Sequence, residues 1–330
     1  MASQASLSPS GGVTLPQRLL WASYARVYDG LLDFYPYRTL VATVVDRLGL
    51  ADGVRVLDIG CGTGNVMLEA LGRAAILVHG VDAAPAMVER ARRKLAACIR
   101  RRTAAVTCGD AVTTMRSMPD GCFDRICMMN VLYAVPDRES LWRECLRLLA
   151  PGGHIVATTS TRSGSMPLIR EHVRHASQRQ LASARLLAVC LIDGLICLFA
   201  KVGRFAFPSE DRLYAEVVAA GGVPSDARRT YGGEVDGVNI LFTVRHPSAA
   251  PHLDASIAKA EGIPKPDARE TESRQPHHPA GRDECADFKF LDHVGAESRL
   301  AVWASRCMTL PFPDPAVATA TSAGVPRHVQ

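Results

Sequence analysis

In the stretch "VRVLDIGCGTGNVMLEA", residues 54–70, three glycines occupy five positions directly after an apolar, β-branched run. Glycine lacks a Cβ and adopts φ > 0 readily, so Gly60, Gly62 and Gly64 allow a ligand to lie directly on backbone. Residues 54–59 read as a strand buried on both faces, and residues 65–70 resume helix-forming types. The bare loop therefore sits between a strand and a helix, at the open end of a sheet, where a nucleotide cradle belongs. Its G-x-G-x-G spacing departs from the dinucleotide pattern G-x-G-x-x-G, and no Lys followed by Ser or Thr closes it as in a phosphate loop. Asp58, two residues before the first glycine, favours a cationic ligand over a phosphate.

Other residue types capable of chemistry lie further along. Asp82 ends the run "AILVHGVD", where a carboxylate can accept both hydroxyls of a ribose, or alternatively cap the next helix. Asn130 and Tyr133 lie in "MMNVLYAVPD", at the end of a later strand. His172 and His175 in "REHVRHASQRQ" are candidate general bases, with a surface pair as the alternative, and His154 is a second candidate. His79 reads as a strand-core residue. The ten cysteines contain no C-x-x-C pair and several lie in apolar runs, so reduced, buried thiols in a cytosol are expected, and no metal site.

The elements that must position these residues follow a regular alternation. An amphipathic helix is expected in "LLWASYARVYDGLLDF" and a second in "YRTLVATVVDRLGL". After the glycine strand come the strand 75–82, the helix "PAMVERARRKLAACIRRR" with Pro85 at its start, and the strand "AAVTCGDA". The strand "FDRICMMNVLYAV", the helix "RESLWRECLRLLAPGG", stopped by Pro151, Gly152 and Gly153, and the strand "HIVATTS" complete five βα units. A helix over 209–222 and two strands, "SDARRTY" and "GVNILFTVRH", joined through Asp236 and Gly237, then suggest a closing antiparallel hairpin. The fold class is α/β: a doubly wound, mostly parallel seven-stranded, Rossmann-like sheet with an antiparallel last strand.

The chain of 330 residues, 48% hydrophobic, can bury a full core, and its net charge of +5 falls short of a dedicated nucleic-acid binder. Residues 1–15 have neither a basic nor an apolar region of a targeting peptide and read as a flexible leader. The catalytic domain is expected over 16–246. Half of the 20 prolines lie from Pro247 onward, among Ala, Ser, His and charged residues, so 247–330 reads as a largely disordered tail. An insert over 162–207 combines a basic half with an apolar run over 186–200. As a helix that run reaches about 22 Å, short of the roughly 30 Å needed to span a bilayer. It reads as a lid, its apolar face lining a pocket and its basic residues favouring an anionic group or lipid surface, with ordinary core packing as the alternative.

The string "VLDIGCGTG" closely resembles the first motif of the class I S-adenosylmethionine (SAM) methyltransferases, and the likeness extends over roughly 20–246, closing antiparallel strand included. Tyr24 and Tyr28 in "YARVYD" resemble the N-terminal lid of that family's small-molecule, ubiquinone-biosynthesis-like branch (methyltransferase type 11), in which such tyrosines close over the cofactor. The resemblance implies SAM as cofactor, with Asp58 at the methionine amino group. It implies Gly60, Cys61 through its backbone, Gly62 and Gly64 near the methionyl and ribose portions, Asp82 on the ribose, and Asp110 with Ala111 at the adenine. Met87 falls where the family packs an apolar side chain on adenine, with core packing equally open. Asn130 and Tyr133 fall where methyl donor and acceptor meet. The D/N-P-P-Y/F string of amino-group DNA methyltransferases is absent, so no nucleic-acid partner is expected. The function implied is methyl transfer to a small, hydrophobic molecule at oxygen, carbon or nitrogen by a cytoplasmic enzyme, with peripheral membrane contact left open. The alternatives are a membrane-surface quinone or phospholipid methyltransferase, a non-catalytic SAM-binding module, and a nicotinamide-dependent oxidoreductase.

Overall fold

The computed structural model describes residues 15–161, 166–175, 205–233 and 237–246, with single helical positions at 194, 196 and 198. Most of the leader, the tail from 247 and much of the insert, including most of its apolar run over 186–200, lie outside the described residues. Seven strands form one sheet: β1 (Arg55–Ile59), β2 (Leu77–Asp82), β3 (Ala104–Cys108), β4 (Phe123–Met129), β5 (Leu149–Ser160), β6 (Val223–Thr230) and β7 (Asn239–Arg245). Their order is β3-β2-β1-β4-β5-β7-β6. Every pairing is parallel except those of β7, which runs antiparallel to both β5 and β6, as the sequence predicts. The strand order reverses between β1 and β4, with β2 and β3 added on one side and β4 and β5 on the other, so a crevice opens at the carboxyl ends of these two parallel strands.

Alternation along each strand explains the two cores. Val56, Val78, Val106, Cys127, Val156 and Leu241 face one layer, shared with α2 (Tyr35–Arg47), α3 (Asn65–Leu71) and α4 (Pro85–Lys94). Leu57, Ile59, Val81, Ile126, Met128, Ile155 and Phe242 face the other, shared with α6 (Ala111–Arg116), α7 (Arg138–Leu148) and α9 (Glu210–Ala219). Both faces are covered, hence the continuous apolar runs. Arg138 and Glu216 tie α7 to α9 through two bonds of 2.8 Å, with Arg138 buried.

Three expected boundaries move. The first helix, α1 (Leu15–Val27), stops before "YDGLLD", which winds as a 3-10 turn over Tyr28–Asp33. The helix from Pro85 breaks at Leu95 (φ −95°, ψ 13°), leaving α4 and a short α5 (Ala96–Arg100). The helix α7 ends at Leu148, and Pro151, Gly152 and Gly153 lie inside β5 rather than stopping the helix. The pairing with β4 slips there, from Phe123 opposite Leu149 to Arg125 opposite His154, and Gly152 takes φ +77° within that irregularity. The helix α8 (Met166–His175) is the described part of the insert with defined bounds.

Candidate functional site

At the carboxyl end of β1 the chain turns through three left-handed glycines, Gly60 (φ +69°), Gly62 (φ +55°) and Gly64 (φ +81°). Gly60 and Cys61 both donate their backbone N–H to Val81 O, at 2.7 and 3.2 Å, which fastens the turn to β2. Gly62 donates to Asp82 Oδ2 at 2.9 Å, and Ala84 donates to Asp82 Oδ1 at 2.8 Å. Each Asp82 oxygen thus spends one lone pair on the backbone and keeps capacity for another donor. Burial is the largest cause raising its carboxyl above the ordinary range.

Asp58 is 2% exposed, and its Oδ2 is a buried atom with no hydrogen-bond partner among the described residues. The Cys127 thiol, opposite it on β4, hydrogen-bonds the same carboxyl. Burial first, then the charge of Asp82, push Asp58 up to about 7, against the opposing pull of that thiol. A buried carboxylate with an unused oxygen beside a turn whose alternate positions lack a Cβ fits a cationic group well.

The loop is roofed by aromatics from the N-terminal segment. A Cβ on Gly62 would meet the Tyr28 ring at 3.4 Å. Tyr28 meets Tyr24 edge-on with centroids 5.0 Å apart, and Tyr37 hydrogen-bonds the Tyr28 hydroxyl at 3.3 Å. Met87 is buried with Ala25 and Ala84, flanked by Trp21, Tyr24 and Tyr28, so it joins α4 to the roof. Asp110 is exposed and caps α6, its Oδ1 accepting from Thr113 N at 2.9 Å, with Ala111 as the first residue of that helix.

On the other side of the crevice, Asn130 holds a left-handed backbone (φ +56°) just past β4. Its Oδ1 accepts from Thr158 Oγ1 at 2.9 Å and its Nδ2 donates to the Tyr231 hydroxyl at 3.1 Å. Tyr231 itself has φ +59°. Strained non-glycine residues held by hydrogen bonds are a common mark of functional positions. Tyr133 stands next along the chain, edge-on to Phe205 and stacked on Phe207, in an apolar cluster with Leu20, Trp21 and Ile196.

The histidines go elsewhere. His172 is buried, stacked on Phe34 with centroids 4.6 Å apart, and its Nδ1 accepts the Tyr35 N–H at 3.2 Å, capping α2. Burial is the first cause lowering its pKa. His175 is exposed and stacks on Tyr35. His154 sits at the opposite end of the sheet, donating to the Arg47 carbonyl at 2.9 Å, and His79 is buried against Thr107. The α8 pair therefore clamps the start of α2, a role its spacing does not reveal. His172→Ala is expected to cost about 1–3 kcal/mol of stability, the cost of one orphaned N–H, with ligand affinity at the glycine loop unchanged. Thermal melting beside a SAM titration checks this. Loss of affinity without loss of stability would contradict it.

Four participants went unread in the sequence: Cys127, Thr158, Tyr231 and Asn239, whose Nδ2 donates to Thr158 Oγ1 at 3.3 Å. Cys127 was open to inference, because parallel pairing sets it beside Asp58. Thr158 and Asn239 depend on the register of β5 with β7, and Tyr231 on the turn that leads from β6 towards β7, which nothing in their own residue types indicates.

Residues 56–153 match the methyltransferase domain family. Among curated proteins the chain is 36% identical over 120 residues to the ubiquinone biosynthesis O-methyltransferase of Xanthomonas oryzae, covering 36% of this chain and 47% of that protein. It is 34% identical over 144 residues to the enzyme of the same name from Pseudomonas aeruginosa, covering 43% of this chain and 59% of that protein. The matches thus span about half the length of these relatives. Among solved structures, a chain of the complex between the Haloferax volcanii Trm112 methyltransferase activator and a methyltransferase superposes with TM-score 0.50 at 16% identity, over 71% of this chain and 99% of that one, a likeness of fold. Residues 56–153 therefore carry a methyltransferase domain, and these similarities are in keeping with the class I SAM-dependent methyltransferases that "VLDIGCGTG" resembles. Among the described residues, no helix is long and apolar enough to cross a membrane.

Proposed function

We propose that the protein transfers the methyl group of SAM to a small, hydrophobic acceptor. The observation that carries the reading is the pairing of Asp58, buried with an unused oxygen, with the left-handed glycine turn beside it. When bound, SAM supplies a methyl group already made electrophilic by a sulfonium. The chain then needs chiefly to bind, align and exclude water. Asp58 receives the amino group, the turn over 60–64 lies under the methionyl and ribose portions with Cys61 contributing backbone, and Asp82 uses its remaining lone pairs for the ribose hydroxyls. Asp110 and Ala111 border the adenine, with Met87, Tyr24 and Tyr28 closing over it. Asn130 and Tyr133 border the acceptor. The cluster of Tyr133, Phe205, Phe207 and Trp21 supports an apolar acceptor surface, and the name of the curated relatives favours an oxygen acceptor. His172 and His175 are not assigned as bases, because their rings are engaged on α2.

The test is incubation with methyl-labelled SAM and, separately, lipid and aqueous extracts of the source organism. Label appearing in an organic-soluble small molecule is expected. Label confined to nucleic acid or protein would overturn the reading.

A pH dependence follows from Asp58. Its unfolded carboxyl loses the proton near pH 4, while the folded one holds it up to about 7. Between those values the folded state binds a proton that the unfolded state lacks, so the ligand-free protein loses stability as pH rises through that window. A bound ammonium needs the ionised carboxylate. The melting temperature without ligand is therefore expected to fall from pH 5 to pH 7, and the SAM-induced thermal shift to be larger at pH 8 than at pH 6. A SAM shift independent of pH would contradict this.

A further inference from the structure

Thr63, between the second and third glycines, is fully buried, and its hydroxyl reaches outside the loop. It donates to Asp29 Oδ1 at 2.5 Å and accepts from Lys94 Nζ at 3.1 Å. Lys94 Nζ also donates to Asp29 Oδ1 at 2.6 Å and to Asn65 Oδ1 at 2.5 Å. The three N–H groups of one ammonium thus meet oxygens from the 3-10 turn, the glycine loop and the first turn of α3. Asn65 continues the chain by donating from Nδ2 to the Tyr37 hydroxyl at 3.3 Å, and Tyr37 reaches Tyr28. Burial is the first cause lowering the Lys94 pKa, and Asp29 opposes it.

The placement gives this network its meaning. Asp29 directly follows Tyr28, the ring that stands over Gly62. On its apolar side the roof packs Tyr24, Tyr28, Leu31 and Leu32 against the core shared with α2, and meets two smaller groups, Ala25, Ala84 and Met87 in one and Leu20, Ile196 and Phe205 in the other. The Asp29–Lys94 pair, with side chains 39% and 20% exposed, is shielded more than a surface salt bridge and shares its charge among several hydrogen bonds.

We propose that Lys94 and Asp29 are the latch of the cofactor cover. They position Thr63, pin the Tyr28–Asp33 turn onto the glycine loop, and must part for SAM to enter or leave. The proposal rests on the SAM reading above, and the experiment separates the two.

SAM association and release are measured by stopped flow on the full chain, for the native protein and for Lys94→Met, Asp29→Asn and the double variant. A native protein that binds no SAM overturns the cofactor reading and the latch together. With native binding intact, each single variant is expected to release SAM tenfold faster or more and to bind it faster. The double variant should be no faster than the faster single one, because the two side chains act as a unit. Unchanged rates alongside lowered melting temperatures would show a merely structural pair and overturn the latch. Multiplying effects in the double variant would overturn it as well. Asp29→Asn keeps the shape of the side chain and removes only its charge, so it carries the test where Lys94→Met fails to fold.

Discussion

Gly60→Val is expected to abolish SAM binding in a protein that still folds. A Cβ at this position would lie 2.5 Å from Val131 Cγ2 and 2.7 Å from Val131 Cβ, well inside contact distance. The backbone also sits at φ +69°, which costs a β-branched residue about 1–3 kcal/mol. Relief requires moving Val131, and Val131 follows Asn130, whose strained backbone is held by its N–H to Thr158 O at 2.9 Å. Both halves of the crevice would shift together. Gly152→Ala is the control: its φ is +77°, yet no atom of the described residues lies within 4 Å of the added Cβ. It should cost stability while sparing SAM affinity. Titration calorimetry and thermal melting on both variants check this, and a normal SAM titration of folded Gly60→Val would contradict it.

The second large effect belongs to Asp82. Asp82→Ala removes the acceptor of the Gly62 N–H, the acceptor of the Ala84 N–H, and the carboxylate offered to the ribose. Hydrogen bonds to a charged group contribute about 1.5–3 kcal/mol, so SAM affinity should fall on the order of 10- to 150-fold. Asp82→Asn keeps one oxygen and should lose less. Gly62 also loses its anchor, which predicts faster exchange of its amide in the ligand-free variant. Unchanged SAM affinity in Asp82→Ala would remove Asp82 from the site.

How much of this was legible in the sequence depended on how local the cause was. The strand, turn and helix around the glycines were readable because each residue obeys its own backbone preference. Pro85 and Ser209 likewise begin helices where chemistry near in sequence dictates. The break at Leu95 was not legible, because "RKLAACIRRR" has no helix breaker and the kink answers to packing. The passage of Pro151 through β5 depends on a slipped pairing with β4, a tertiary fact. Among site residues, Asp58 and Asp82 were visible because acids ending apolar strands are conspicuous. Lys94 stands among several cations in a basic helix, and only the fold brings Asp29 to it, 2.6 Å away across 65 positions. His172 misled for the opposite reason: an imidazole has chemistry wherever it stands, and here it is used to cap a helix.

The central claim is that the crevice beside Asp58 holds SAM. Titration calorimetry of the full chain with SAM, S-adenosylhomocysteine and NAD, at pH 8, tests it most directly. The account predicts saturable one-to-one binding of the first two and no heat from NAD. Binding of NAD with none of SAM or S-adenosylhomocysteine would contradict it.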